Sequence, residues 1–341
     1  MSKSREELEK KLAALEKTTI EADLKAAAKQ RSEGKLTARE RIDKLLDPGS
    51  FVEEFMLAET QCTDFGMAEK RLPSDGVVTG FGKIDGRPVY VFSQDRAVLA
   101  GTVGSAHAEK IAYVIQTARK LGVPLIGLND SAGARIQEGL SVTTAIGKIF
   151  FENSIASGCI PQISAIMGPC IGVGSYSPAL TDFILMVQNT SQMFITGPAV
   201  IKEVLGETVT MEQLGGAKIH SEISGVTDLV AKNDEECLTM IRRLLGFLPS
   251  NFEAPPVRKE TADDLTRSLD SLEKIVPEDM RKAYNILQVI KAVVDDGDFL
   301  ELKGKFARNL VIGFGRLDGH PVGFVANQPM FLAGKIGRAH V

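Results

Sequence analysis

Hydrophobic and polar residues change period repeatedly along this chain, and the clearest change lies near its middle. Residues 123–128 (VPLIGL) form a largely apolar run, the pattern of a strand buried on both faces of a parallel sheet. It ends in Asn129, Asp130 and Ser131. The small residues Ala132, Gly133 and Ala134 then predict a tight corner, and residues 135–140 the start of a helix. The same order recurs downstream. Residues 162–167 (QISAIM) predict a strand, residues 168–175 (GPCIGVGS) a second glycine-rich corner, and residues 176–187 the helix that follows. Two such units in succession set two groups of backbone N–H donors at neighbouring strand ends, each unpaired and beside a helix N-terminus. Donors so arranged form an oxyanion hole. Corners that merely turn an α/β chain would read the same way.

The rest of the chain alternates between the two periods. Residues 4–29 predict a long helix with Leu8, Leu12, Leu15 and Leu24 as a loose apolar stripe, packed along a domain or subunit edge. Thr37 is a plausible N-cap for a helix through Leu46 that stops at Pro48 and Gly49. Residues 51–65 are poorly patterned. Residues 77–101 predict a strand, an Asp85-Gly86 turn and a second strand. Gly80-Phe81-Gly82 therefore precedes a hairpin, which excludes a dinucleotide-binding turn. Residues 102–121 predict a helix on which His107, Lys110, Arg119 and Lys120 form a solvated polar face. Strands follow at 192–196 and 226–230, with helices at 199–205, 211–216 and 234–247. Residues 248–265, which carry Pro249, Pro255 and Pro256, read as a linker, and 277–294 as a further helix. The alternation predicts an α/β layered fold.

A repeat lies over this pattern. Residues 310–334 align without gaps on residues 77–101, with eleven of twenty-five positions identical, including Gly-Phe-Gly, Asp-Gly-x-Pro-Val and Leu-Ala-Gly. Upstream, DGDFLE at 296–301 echoes PGSFVE at 48–53. A duplicated unit explains the shared ending better than two unrelated hairpins with the same turn. The second copy stops where its long helix and corners should begin. Residues 336–341 (IGRAHV) are expected to be a non-native tail.

Composition adds little beyond exclusions. At 341 residues the chain exceeds one ordinary core, and a net charge of −4 without basic blocks gives no sign of nucleic acid binding. Cys62, Cys159, Cys170 and Cys237 are scattered, with no spacing for zinc or a disulfide framework, so a reducing cytosol is the simplest compartment. No apolar run approaches the roughly 20 residues of a membrane span. No Gly-x-Ser-x-Gly elbow or paired acid–base carboxylates stand out.

The long motifs then carry a resemblance. GKLTARERIDKLLDPGSF (34–51), CTDFGM (62–67), DGVVTGFGKIDGRPVYVFSQD (75–95) and NDSAGARIQEG (129–139) resemble the carboxyltransferase subunit of biotin-dependent acyl-CoA carboxylases. So do the motifs at 156–183, 194–204, 214–226 and 327–334. The resemblance is to the propionyl-CoA carboxylase β type and its methylmalonyl-CoA decarboxylase α relatives. It implies a crotonase-like (ClpP-like) superhelix of ββα units, with one full domain and the start of a duplicated second domain. On this basis residues 1–30 are an N-terminal helix, 31–250 an acyl-CoA-binding domain, 251–276 a linker, and 277–335 the start of a biotin-binding domain.

The implied reaction moves a carboxyl group between carboxybiotin and the α-carbon of a short-chain acyl-CoA, propionyl-CoA or methylmalonyl-CoA, through a stabilised enolate. The backbone amides of Ala132 and Gly133 would hold the acyl carbonyl. Gly172 and Gly174 would face the same pocket, with Ser131 and Arg135 as further substrate contacts; Arg135 and Glu138 read first as residues bracing the corner. Biotin would be the cofactor, carried on a partner, with no metal in this subunit. Implied partners are a biotin carboxylase, a biotin carboxyl carrier subunit or domain, and further copies of the chain in dimers assembled to a hexamer. Alternatives are the α subunit of a sodium-pumping acyl-CoA decarboxylase, a crotonase-type hydratase or isomerase using Glu138, and a noncatalytic assembly module. The chain departs from the family at three points: relatives carry Gly-Gly at Ala132-Gly133 and at Gly172-Val173, and often Phe at Arg96.

Overall fold

The structure is a computed structural model that describes residues 3–69, 73–264, 266–279 and 281–335; the expected tail at 336–341 lies outside the described residues. The chain opens with helix α1 (Lys3–Ser32), on which Leu8, Leu12 and Leu15 are exposed. Helix α2 (Ala38–Leu45) follows, with a full capping box at its start: Thr37 accepts from the Glu40 amide, and the Glu40 side chain accepts from the Thr37 amide. Strand β1 (Val52–Glu54) lies in the stretch without sequence pattern. It leads to the predicted hairpin, β2 (Val77–Ile84) and β3 (Arg87–Gln94). Helix α3 (Ser105–Leu121), strand β4 (Leu125–Ser131), helix α4 (Ser141–Ala156) and strand β5 (Gln162–Ile171) form the centre. They are followed by α5 (Val173–Ala179), β6 (Phe183–Val187), β7 (Gln192–Phe194) and α6 (Pro198–Leu205). The first unit ends with α7 (Met211–Gly215), α8 (Ala217–Glu222), β8 (Leu229–Ala231) and α9 (Asp234–Leu245). Beyond it lie α10 (Ser271–Ile275), α11 (Ile286–Val293), β9 (Leu300–Leu302), β10 (Leu310–Leu317) and β11 (His320–Asn327).

One eight-stranded sheet runs in the order β1-β2-β3-β4-β5-β6-β8, with β7 paired to the far end of β5. β1 to β3 are antiparallel, and from β3 onward the pairs are parallel. All seven residues of β4 are buried, which is why its run shows no alternation. Helices α2 and α9 cover one face of the sheet, and α3 and α4 cover the other. The second sheet, β11-β10-β9, joins the first core through Leu300, Leu302 and Phe314, whose ring stacks on Phe247 at 5.8 Å.

Several expectations need correction. After the first corner only a single 3-10 turn forms at Ile136–Glu138, and the helix starts at Ser141. Gly139, at φ 58°, breaks the path between them, so no helix N-terminus sits directly beside Ala132. The helix expected over 176–187 is a short helix, α5, followed by strand β6. Pro178 lies in its last turn, and the five-residue run FILMV is apolar all round, a pattern that strand and buried helix share. Residues 277–294 are helical only from Ile286. His107 and Lys110 are not on a solvated face, being 0% and 3% exposed.

Candidate active site

The two predicted corners lie side by side because β4 and β5 are parallel neighbours. The register shifts at their ends, from Asn129 opposite Ile166 to Ser131 opposite Cys170. β5 thereby reaches past β4 and closes over the first corner. The approach leaves no room for side chains. A Cβ on Gly133 (φ 96°) would lie 2.8 Å from the Ile171 carbonyl oxygen, and one on Gly174 would lie 3.3 Å from Ser131 Cβ. Ser131, Ala132, Gly133, Gly172 and Gly174 are thus one cluster. Val173 packs against the core on the α3–α4 side.

Three of the corner donors have partners. The Ala132 amide donates to the Ala100 carbonyl at 3.2 Å, Gly133 to Ser131 Oγ at 3.2 Å, and Gly172 to the Phe194 carbonyl at 3.1 Å. Ser131 Oγ itself donates to the Gly101 carbonyl at 2.6 Å. The expectation of unpaired amides therefore does not hold for Ala132, Gly133 and Gly172. The turn Leu99–Gly101 supplies two of the acceptors, and it does so with Leu99 and Ala100 at φ 48° and 56°.

Arg135 is 1% exposed and braces the corner. Its guanidinium donates to Asp75 Oδ1 at 2.6 Å, Glu138 Oε1 at 3.0 Å and the Thr102 carbonyl at 2.8 Å. Glu138 also accepts from the Ser105 amide, which opens α3, and from Thr60 Oγ1. Burial pushes the Glu138 carboxyl upward, but these donors together with Arg135 hold it below its ordinary value. A carboxylate so engaged is poorly disposed to act as the base of a hydratase. Asp75 goes the other way, its carboxyl raised by burial in spite of Arg135.

His107 belongs to the same network. Nδ1–H donates to the Asp75 carbonyl at 3.0 Å, and Nε2 faces the Gln94 amide nitrogen at 3.2 Å. A ring that donates on one side and accepts on the other is neutral. Burial, then the charge of Arg135, push its pKa down to about 3. The same Gln94 side chain accepts from the Asp130 amide, which links the network to the end of β4.

Sequence reading missed a second network, whose members lie far apart in the chain. Asp130, 0% exposed, receives Lys35 Nζ at 2.6 Å and Arg41 at 3.4 Å, while Arg41 also donates to Asp234 at 2.9 Å. Gly168 makes room for that carboxylate, since a Cβ there would lie 2.0 Å from Asp130 Oδ1. The network ties α2 and α9 to the end of β4 just before the corner. Cys170 beside it is a buried thiol, pushed up to about 12 by burial first and then by Asp130. Tyr176 packs on Phe150, and Ser177 donates to Asn153 Oδ1 at 2.8 Å, so both serve packing and bonding. Among the described residues no helix is long and apolar enough to cross a membrane.

With this geometry in hand, comparison with known proteins is specific. The carboxyl transferase domain model matches residues 29–339. The methylmalonyl-CoA decarboxylase subunit alpha of Veillonella parvula is 53% identical over 310 residues, covering 91% of this chain and 61% of that protein. The mitochondrial propionyl-CoA carboxylase beta chain of Mus musculus is 51% identical over 307 residues, covering 89% and 57%. In structure, the transcarboxylase 12S subunit superposes with a TM-score of 0.94 at 44% identity, covering 98% of this chain and 65% of that one. That crystal structure is described as a hexamer assembly with methylmalonyl-coenzyme A and methylmalonic acid bound. The chain spans about three fifths of the length of these curated relatives.

Proposed function

Because the chain belongs to the carboxyl transferase domain family and has its crotonase-like fold, we propose that it is the acyl-CoA-binding part of a carboxyltransferase acting on propionyl-CoA or methylmalonyl-CoA. The observation that carries this reading is the contact of the two corners, 131–133 and 172–174, at the ends of adjacent parallel strands. Removing a proton next to a thioester carbonyl moves charge onto its oxygen. Fixed N–H donors at that oxygen lower the barrier, each by about 3 kcal/mol. We assign this role to the Ala132 and Gly133 amides, with Gly172, Gly174 and Ser131 forming the facing wall. The two amides now donate to neutral acceptors at 3.2 Å, and an oxyanion is the stronger acceptor. Substrate binding therefore exchanges the Ala100 and Ser131 oxygens for the thioester oxygen. Arg135 keeps the corner rigid and makes no substrate contact in this account.

Biotin, held by a partner carrier, supplies the carboxyl group and the proton acceptor when bound. The residues present fit that division of labour. The corner donors belong to the backbone, and Arg135, Asp75, Glu138 and His107 are bonded within one network. The working enzyme would include a biotin carboxylase, a biotin carboxyl carrier subunit or domain, and further copies of this chain, with no metal in this subunit and in the cytoplasm. A second reading, the α subunit of a sodium-pumping acyl-CoA decarboxylase, rests on 53% identity to a decarboxylase α subunit, equal to that to a propionyl-CoA carboxylase carboxyltransferase subunit, and differs in the direction of transfer.

Calorimetric titration of the chain with propionyl-CoA and methylmalonyl-CoA tests the reading. Micromolar binding of both is expected, with no carboxyl transfer to free biotin. Failure to bind either acyl-CoA would overturn it.

A further inference from the structure

An open cavity of about 830 Å³ lies beside the first corner, between the end of α1, residues 96–100, Pro169 and residues 189–192. Its size is that of a small-molecule site. Its walls hold polar atoms with nothing to bond. Among the described residues ten buried side-chain nitrogen or oxygen atoms lack a hydrogen-bond partner, and five of them belong to Gln30, Arg96, Asp130 and Thr190. Gln30, Arg96 and Thr190 line the cavity, and Asp130 lies behind Arg96. Such atoms are costly to leave unpaired, so their concentration in one place marks a site for a polar group.

The charges identify the group. Lys35 and Arg41 bond to Asp130 and Asp234, two cations to two anions. Arg96 is the excess cation. Its Nη1 stands 3.8 Å from Asp130 Oδ1, too far for a hydrogen bond, and is shielded from solvent. The other charged lining groups are Lys35, which is bonded to Asp130, and Glu33, which is exposed. The cavity also reaches Ala100, whose carbonyl accepts from the Ala132 amide, so a ligand seated in it continues directly to the thioester corner.

We propose that Arg96, with Thr190 and Gln30, binds an oxyanion group of the acyl-CoA, and that Arg96 thereby sets ligand preference in this chain. The inference rests on the reading of the chain as an acyl-CoA-binding domain. A phosphate of the CoA and the free carboxylate of a methylmalonyl group present the same chemistry, and binding measurements separate them.

The test compares the wild-type chain with Arg96→Gln and Arg96→Phe by calorimetry, using propionyl-CoA, methylmalonyl-CoA and inorganic pyrophosphate. Loss of one charge-assisted contact weakens binding by about tenfold or more. If a phosphate is held, both acyl-CoA ligands and pyrophosphate weaken together. If the acyl carboxylate is held, methylmalonyl-CoA weakens and propionyl-CoA does not. Melting temperatures within a few degrees of wild type show that the variants are folded, and Arg96→Lys, which keeps the charge, is expected to recover part of the loss. If wild type binds no acyl-CoA but binds pyrophosphate in an Arg96-dependent way, the anion site stands and the acyl-CoA reading falls. Unchanged affinities for all three probes in both variants, or absence of any binding by wild type, would overturn the inference.

Discussion

The helix and hairpin at 37–101 and those at 285–334 are one unit built twice, and they part company in what covers them. In each copy the hairpin register is the same, from Val77 opposite Gln94 to Ile84 opposite Arg87, and from Leu310 opposite Asn327 to Leu317 opposite His320. The first glycine of Gly-Phe-Gly is forced by backbone approach: a Cβ on Gly80 would lie 2.1 Å from the Val52 oxygen, and one on Gly313 would lie 2.2 Å from the Leu300 oxygen. The second is forced by the preceding helix, through Leu46 above Gly82 and Val294 above Gly315. Asp47 accepts from both amides of the Asp85-Gly86 turn, as Asp295 does from those of Asp318-Gly319. Leu99-Ala100 and Leu332-Ala333 share the left-handed backbone region. Most of the identities between the copies are thus residues that shape the backbone.

The differences follow the surroundings. Phe92 is 4% exposed under α3, whereas its counterpart Val325 is 75% exposed on β11, which among the described residues pairs with β10 alone. Gln94 and Arg96 face the site networks, and their counterparts are Asn327 and Pro329. Both copies keep the scaffold, and among the described residues the site networks lie where the first continues into β4.

The largest expected effect tests that continuation. Arg135→Gln leaves Asp75 and Glu138 buried without their cation, a loss of about 3–5 kcal/mol. Hydrogen exchange should rise across α3 and β4 while β10 and β11 stay protected; a loss below about 1 kcal/mol would show that the brace is dispensable. Gly80→Ala and Gly313→Ala should each cost about 1–3 kcal/mol, because the same approach is violated in both. A harmless Gly313→Ala would mean the two hairpins are not packed alike.

His107 gives the first copy a pH dependence. Its pKa falls from an ordinary 6.5 to about 3 on folding, so the unfolded chain takes up a proton that the folded chain refuses. The stability from this site is complete above pH 6.5 and declines as the pH falls toward 3, by about 1.4 kcal/mol per pH unit. Denaturation of His107→Asn should show a correspondingly flatter profile over that range. The smallest effect compares the two turn-holding carboxylates. Asp295, 8% exposed, should lose about 1 kcal/mol as Asp295→Asn, and the more exposed Asp47 less as Asp47→Asn; the reverse order in urea titrations would contradict the burial argument.

Legibility in the sequence followed locality. The N-cap at Thr37, the Asp-Gly turn and the apolar run of β4 depend on residues close in the chain, and each formed where the pattern placed it. The repeat was visible for the same reason. What was hidden depends on distant partners. Lys110 looked like an ordinary surface lysine until its ammonium met the Ser74 carbonyl at 2.9 Å. Lys35, Arg41, Asp130 and Asp234 carry no shared motif, because their meeting is a product of the sheet order. The corners themselves were legible as glycine-rich breaks. The acceptors that occupy their amides were not, since Ala100 comes from a turn more than one element away.

The account stands or falls on the state of the thioester carbonyl. Infrared difference spectroscopy of carbonyl-labelled propionyl-CoA bound to the chain reads hydrogen bonding at that oxygen directly. The carbonyl band should move to lower frequency on binding wild type, and much of that shift should be absent with Ala132→Pro, which removes one donor. A bound thioester whose band stays at its solution frequency, or shifts equally with and without the Ala132 N–H, would contradict it.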